Sequence, residues 1–289
     1  MSALLAGGPL EMLSGEAAVE ALAGLRSELL ADRLVPYLGP GLLALEGKPS
    51  VPASPEEIAA ALQKRVAVPG RIRGNMWAVA QYIESRRHRR TLKKLMAEVF
   101  AGEPRPSAFH RFLAQLPLSL IVDSWYDGTL AAAMVGAGRG DVVDAQGMSR
   151  AAIGEDRWYN AFDLTGAVTE PSATGTLLYR PHGGIQPVGD VLVSDSDYVE
   201  ALTEIDIQTP IPEAVRERRA TRGFLFLGCR FHDQMLRTYA RQIIKRSAGP
   251  HACVTDAATL TSNEQRFLAA ENIVLIDMPL AEAAQRLAG

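Results

Sequence analysis

GFLFLGCRFHDQMLRTYARQIIKR spans residues 223–246 and holds the clearest change of period in the chain. Residues 223–231 are a nearly continuous apolar run interrupted by Gly228-Cys229-Arg230, and from His232 to Arg246 the apolar side chains recur three and four apart. A strand that is apolar throughout is covered on both faces, and a helix that follows it directly runs back along one of them. Downstream the unit repeats: HACVT (251–255) and helix TSNEQRFLAAEN (261–272), then IVLID (273–277) and helix LAEAAQRL (280–287).

Upstream the same grammar holds more loosely. EAAVEALAGLRSELLADR (16–33) has helical spacing and runs into LVPYL (34–38), a short strand ending at Gly39. LPLSLIVDSWYDGTL (116–130) is a second buried strand that stops at Asp123, followed by the short helix TLAAAMVG. NAFDL (160–164), TGTLLYR (174–180) and GDVLVS (189–194) read as further strands, the last leading into helix SDYVEALTEI (196–205). Between the first two strands lies a helical stretch, 54–116. Ser54 there precedes Pro55, Glu56 and Glu57, an N-cap with proline at the first helical position and acids in the first turn. Residues 136–158 carry glycines and mixed charge with no steady period, and are expected to form a variable loop region. Strands alternating with helices predict an α/β fold: a doubly wound parallel sheet with helices on both faces, one domain over 1–289, and 54–116 as an inserted helical layer or subdomain.

Composition narrows the function classes. With 289 residues, 47% of them hydrophobic and 22% charged, the chain can bury a core without covalent staples. Two cysteines, Cys229 and Cys253, are too few for a disulfide framework or a four-cysteine zinc ribbon, so no metal is expected. The longest apolar runs are broken by charge or glycine, which argues against a membrane span. The first residues carry acids and no early basic residues, unlike a secretory leader, so a cytoplasmic location is the default expectation. A net charge of −3 gives no global pull toward nucleic acid. Arg86-Arg87-His88-Arg89-Arg90, with Lys93 and Lys94, forms a local basic cluster. On a helix these side chains spread around more than half the circumference, as a solvated face does, and no aromatics are interleaved to stack bases.

In open parallel sheets ligands bind beyond the carboxyl ends of the strands. The residues there are Gly39-Pro40-Gly41, then Asp123-Ser124-Trp125-Tyr126-Asp127, then Pro181-His182-Gly183-Gly184, then Gly228-Cys229-Arg230. Glycine turns, a histidine between small residues and an acidic aromatic turn, brought to one crevice, fit a nucleotide pocket. Each piece also has a plain reading. The Gly39-Pro40-Gly41 turn lacks the third glycine of a dinucleotide fingerprint, Ala44 standing in its place, and serves equally as a strand-to-loop turn. Asp127 fits a cap of the following helix, Trp125 a core aromatic or the wall of a planar-ring pocket, and His182 a general base or a buried ring.

Taken in order, these blocks resemble the microbial sirtuin-like family, which binds NAD on a Rossmann-like fold and has a branch that cleaves it to nicotinamide and ADP-ribose. VPYLGPGLLAL resembles the first-strand motif G-A-G-x-S. PSAFHRFLAQLPLSLIVDSWYDGTL resembles the approach to T-x-N-x-D, and LLYRPHGGI the strand ending in the active-site histidine. DVLVSDSDYVEAL, GFLFLGCRFHDQMLR and ENIVLIDMPLAEAAQRL resemble the V-x-x-x-D-Y turn, the ribose and phosphate turn and the closing strand and helix, so the likeness runs from about Leu34 to Leu287.

The departures fall on the chemistry. The motif asparagine, which in the family holds the water or ribose for attack, is Trp125; the threonine is Asp123; the acid survives as Asp127. Pro40 and Leu43 replace the alanine and hydroxyl residue of the glycine loop. Losing one oriented polar group costs about 3 kcal/mol in a transition state, and indole only donates. The resemblance therefore implies a nucleotide-binding protein, for NAD or ADP-ribose, that is catalytically degenerate and acts as a sensor, regulatory or assembly subunit, as a homo-oligomer or with a protein partner. Gly39, Gly41, Trp125, Gly183, Gly228 and Cys229 would contact the ligand. The alternative is an active NAD hydrolase with His182 as base and Asp123 or Asp127 replacing the asparagine. A deacylase is disfavoured because that branch's paired zinc cysteines are missing.

Overall fold

Side chains alternate across a strand, and in Gly223–Leu227 this sends Phe224 and Phe226 into one buried cluster and Leu225 and Leu227 into another. Both faces of the sheet are therefore cores, as the unbroken apolar run requires. The computed structural model describes residues 8–149, 157–205 and 210–289. In chain order these form β1 (Met12–Leu13), α1 (Gly15–Leu30), β2 (Leu34–Leu38), α2 (Pro55–Gln63), α3 (Met76–Val99), α4 (Ala108–Gln115), β3 (Leu120–Asp123) and α5 (Thr129–Gly136). There follow β4 (Val142–Gly147), β5 (Tyr159–Phe162), β6 (Thr176–Arg180), α6 (Asp195–Ile205), α7 (Glu213–Arg219), β7 (Gly223–Leu227) and α8 (Gln234–Ile244). The chain closes with β8 (His251–Thr255), α9 (Ser262–Ala270), β9 (Ile273–Asp277) and α10 (Leu280–Ala288).

The described strands make one sheet in the order β1-β9-β8-β7-β2-β3-β6-β4-β5, parallel except for β5, which runs against β4. The order runs outward from β2 in opposite directions, through β3 on one side and through β7, β8 and β9 on the other. The gap between the carboxyl ends of β2 and β7 is thus the topological switch point, where a doubly wound sheet leaves a crevice. Helices α1, α4, α5 and α10 contribute to one core, and α2, α3, α6 and α8 to the other. The helical stretch 54–116 accordingly divides between the two faces, α2 and α3 on one and α4 on the other.

Three local features depart from the sequence reading. Val142–Gly147, inside the stretch expected to be a variable loop, is β4, a strand fully inside the sheet. Residues 150–156 of that stretch lie outside the described residues. GDVLVS does not join the sheet. Its backbone groups go elsewhere: Leu192 N–H donates to His182 O, Val193 N–H to Asp197, and Val191 O accepts from Arg89. The basic helix α3 is broken at His88, which has φ +68°. Arg89 then turns inward to the buried Asp197 carboxylate (2.7 Å), and Lys93 pairs with Asp190 (3.0 Å), while Arg86, Arg87, Arg90 and Lys94 stay exposed. No helix among the described residues is long and apolar enough to cross a membrane.

Candidate functional site

The switch-point crevice is a cavity of about 450 Å³, within the range of roughly 300–1,000 Å³ common for small-molecule sites. Its floor is the end of β2 and β7, with Tyr37, Pro40, Gly41, Gly228 and Cys229; Ser124, Trp125 and His182 form one wall. The mouth is framed by Ser54–Glu56 at the start of α2, by Arg230, Phe231 and His232 after β7, and by Thr261. A hydrogen bond from His232 Nε2 to Glu56 Oε1 (3.1 Å) ties the two sides of that mouth together.

The glycine turns hold each other. Gly39 N–H donates to Leu227 O and Gly41 N–H to Gly228 O, both at 2.9 Å. A Cβ on Gly39 would stand 2.5 Å from Gly228 O, and one on Gly41 2.9 Å from it. Gly228 itself has φ +68°, the left-handed region that glycine enters without strain. These amides are consumed by the contact between the β2 and β7 turns, and Pro40 supplies none.

Trp125 is 3% exposed. Its indole N–H donates to Pro52 O (2.8 Å), and its ring packs against Tyr126 and Phe100, so it braces the loop before α2 and walls the cavity. His182 is 2% exposed and packs among Tyr126, Tyr198 and Tyr239. Burial lowers its pKa to about 3, so the ring is neutral at pH 7. Nδ1 meets the Tyr198 hydroxyl at 3.1 Å, whereas Nε2 has no protein partner.

Asp123 and Asp127 are not on this wall. With Gly39 and Thr129 they line a separate void of about 10 Å³ behind the Pro40 turn, beside His110. Asp127, one position before the Gly128 cap, accepts at Oδ2 from the N–H of Thr129 (2.8 Å), the first residue of α5. Asp123 accepts from Trp125 N–H (3.3 Å), and burial, reinforced by Asp127, pushes its pKa up. Trp125 and Pro40 line both voids and so stand between the two acids and the cavity.

A family model described as a SIR2-like domain matches residues 119–276, more than half of the chain. The chain belongs to the SIR2-like family. No curated protein matches it. In this SIR2-like chain, His182, Gly41, Trp125, Gly228 and Cys229 come together at the cavity, Gly39 braces it from behind, and Gly183 lines neither void. Gly183 has φ +78°, and a Cβ there would collide with Asp190 O, so it shapes the turn that presents His182. Cys229 is a buried thiol donating to Tyr37 O (3.4 Å), its pKa raised by burial, which excludes a thiolate role at neutral pH.

Arg230 and Glu264 escaped the sequence reading as a pair. Glu264 has no exposed surface; it accepts from Arg230 Nε (2.9 Å) and Nη2 (3.0 Å), Phe231 N–H (2.9 Å) and its own cap Thr261. Burial alone would raise its pKa, but these donors outweigh it and hold the carboxyl at about 2. The T-x-x-E capping box was the available signal; its partner Arg230 was not legible from it. A second buried pair, Arg180 with Asp144, fixes the end of β6 before His182. Among the described residues no three His, Cys, Asp or Glu side chains gather as metal ligands.

Proposed function

We propose that this SIR2-like protein binds a nucleotide of the NAD or ADP-ribose class in the switch-point cavity without cleaving it at an appreciable rate. The observation that carries the reading is Trp125. At the position of the motif asparagine stands an indole whose one polar hydrogen is already donated to Pro52 O, so it offers nothing to orient a water or a ribose. The acids that would replace the amide sit behind the Pro40 turn, engaged by backbone N–H groups. What supports binding is the remaining surface: the His182 ring at the cavity wall, the Arg230 guanidinium fixed by Glu264, and Phe231, Tyr37 and Leu236 as apolar walls for planar rings. The internally bonded Gly39 and Gly41 amides point to weaker phosphate binding than a loop with free amides would give.

Isothermal titration with NAD and ADP-ribose, together with nicotinamide release followed by chromatography over hours, tests both halves. Heat of binding with no nicotinamide is the expected result. Turnover that disappears in His182→Ala would instead establish the hydrolase, and absence of heat with either ligand would remove the nucleotide reading.

A further inference from the structure

We infer that the α2–α3 layer is a docking surface for the phosphate backbone of a nucleic acid, held without regard to base sequence. The net charge of −3 hides a segregation. Residues 54–99, from the cap of α2 to the end of α3, hold ten lysines and arginines against four acids, whereas the rest of the chain holds twenty against twenty-nine. One layer thus stands at +6 on a body at −9. A charge asymmetry of this kind makes a local field that a polyanion follows even when the whole chain is acidic.

The break at His88 sorts the cations of α3. Arg89 and Lys93 are neutralised by Asp197 and Asp190, and Arg86, Arg87, Arg90 and Lys94 are left outside. Glu98 meets both Arg65 (3.4 Å) and Lys94 (4.0 Å), which sets the end of α2 beside the second half of α3, one carboxylate serving two cations. Among the described residues Arg86, Arg87 and Arg90 meet no carboxylate, and Arg86 lies over the Tyr82 ring at 5.8 Å. Exposed arginines elsewhere, such as Arg33, Arg241 and Arg286, each have an acid.

The chemistry of the face selects the partner. Three of its four outward cations on α3 are arginines, whose planar fork takes two phosphate oxygens at once. The exposed large hydrophobic side chains, Met12, Leu30, Val135, Val168, Val188 and Val199, all lie outside α2 and α3. The face therefore offers no apolar anchor for the core of a protein interface or for insertion into a bilayer. No aromatic rings alternate with the arginines to stack bases, so the contact is to the backbone, which fixes position and carries no sequence information. This surface does not depend on what the switch-point cavity holds.

Fluorescence anisotropy of the full chain with a labelled oligothymidine and a mixed-sequence duplex, each of about 20 nucleotides per strand, measures this at about 50 and 200 mM salt. Both should bind, and about four phosphate contacts predict a loss of about 50-fold for the single strand and about 150-fold for the duplex between the two salt concentrations. Arg87→Gln combined with Arg90→Gln removes two contacts, so it should about halve the salt slope and weaken binding at low salt about ten-fold. Arg216→Gln combined with Arg266→Gln, exposed on α7 and α9, makes the same change in net charge and should leave binding within about two-fold. Thermal melts verify that both variants are folded. Absence of binding at low salt, equal losses in the two double variants, or tighter binding to polyglutamate or to anionic vesicles than to the oligonucleotides would overturn the inference.

Discussion

Replacing Glu264 by glutamine keeps the shape of the side chain and removes its charge. The carboxylate is fully buried, and Arg230, Phe231 N–H and Thr261 hold it ionised down to about 2, against the ordinary 4.5. A folded-state pKa below the unfolded one contributes stability that is complete above pH 4.5 and is lost as pH falls through 2. The 2.5-unit difference corresponds to about 3 kcal/mol at pH 7 and to roughly 1.4 kcal/mol at pH 3. Urea unfolding of wild type and Glu264→Gln at pH 7, 4.5 and 3 measures this, with tryptophan fluorescence and circular dichroism required to coincide. The gap between the two proteins should be widest at pH 7 and should narrow on acidification. A glutamine variant as stable as wild type at pH 7, or a gap that ignores pH, would refute the assignment of Glu264 as the charged anchor of Arg230.

Other outcomes follow from single contacts. Arg89→Ala should lower stability by about 3–5 kcal/mol because it leaves the buried Asp197 unpaired, while Arg87→Ala, a few atoms away on the exposed side, should change it by less than about 0.5 kcal/mol; thermal melts of both decide whether the basic cluster splits as described. Gly39→Ala should cost about 1–3 kcal/mol through its clash with Gly228 O, whereas Gly24→Ala, in the open middle of α1, should add about 0.5–1 kcal/mol, and equal effects would count against the turn contact. His182 is buried neutral, so as pH falls from 6.5 toward 3 the unfolded chain takes up a proton the folded chain refuses, and stability declines; His182→Gln should flatten that part of the pH profile, and an unchanged slope would contradict the burial of the ring.

Local rules were readable where the energy is local. LVPYL is β2 residue for residue, and Ser54 Oγ accepts from Glu57 N–H (3.1 Å) with Pro55 at the first helical position, because strand burial and helix caps depend on near neighbours. Strand β4 was hidden for the opposite reason. Its Asp144 and Gln146 are polar and buried, satisfied by Arg180 and by Gln186 O, partners more than thirty residues away that no periodicity announces. The site shows the same division. His182, Trp125 and the glycine turns follow from standing after strands, but which void each residue lines is decided by the turn after β3, which puts Asp123 and Asp127 in the small void and Trp125 against both. Tyr198 reaches the His182 ring from α6, whose docking depends on Asp197 and Arg89.

The mutual contact of the Gly39-Pro40-Gly41 and Gly228 turns bears on how such sequences change over evolutionary time. Because each turn leaves no room for a side chain on the other, the glycines are required by the sheet itself whether or not a phosphate ever visits. A lineage that stopped using its nucleotide would still be held to these letters by folding selection. In this architecture the paired glycines report what the sheet needs and not what the cavity holds.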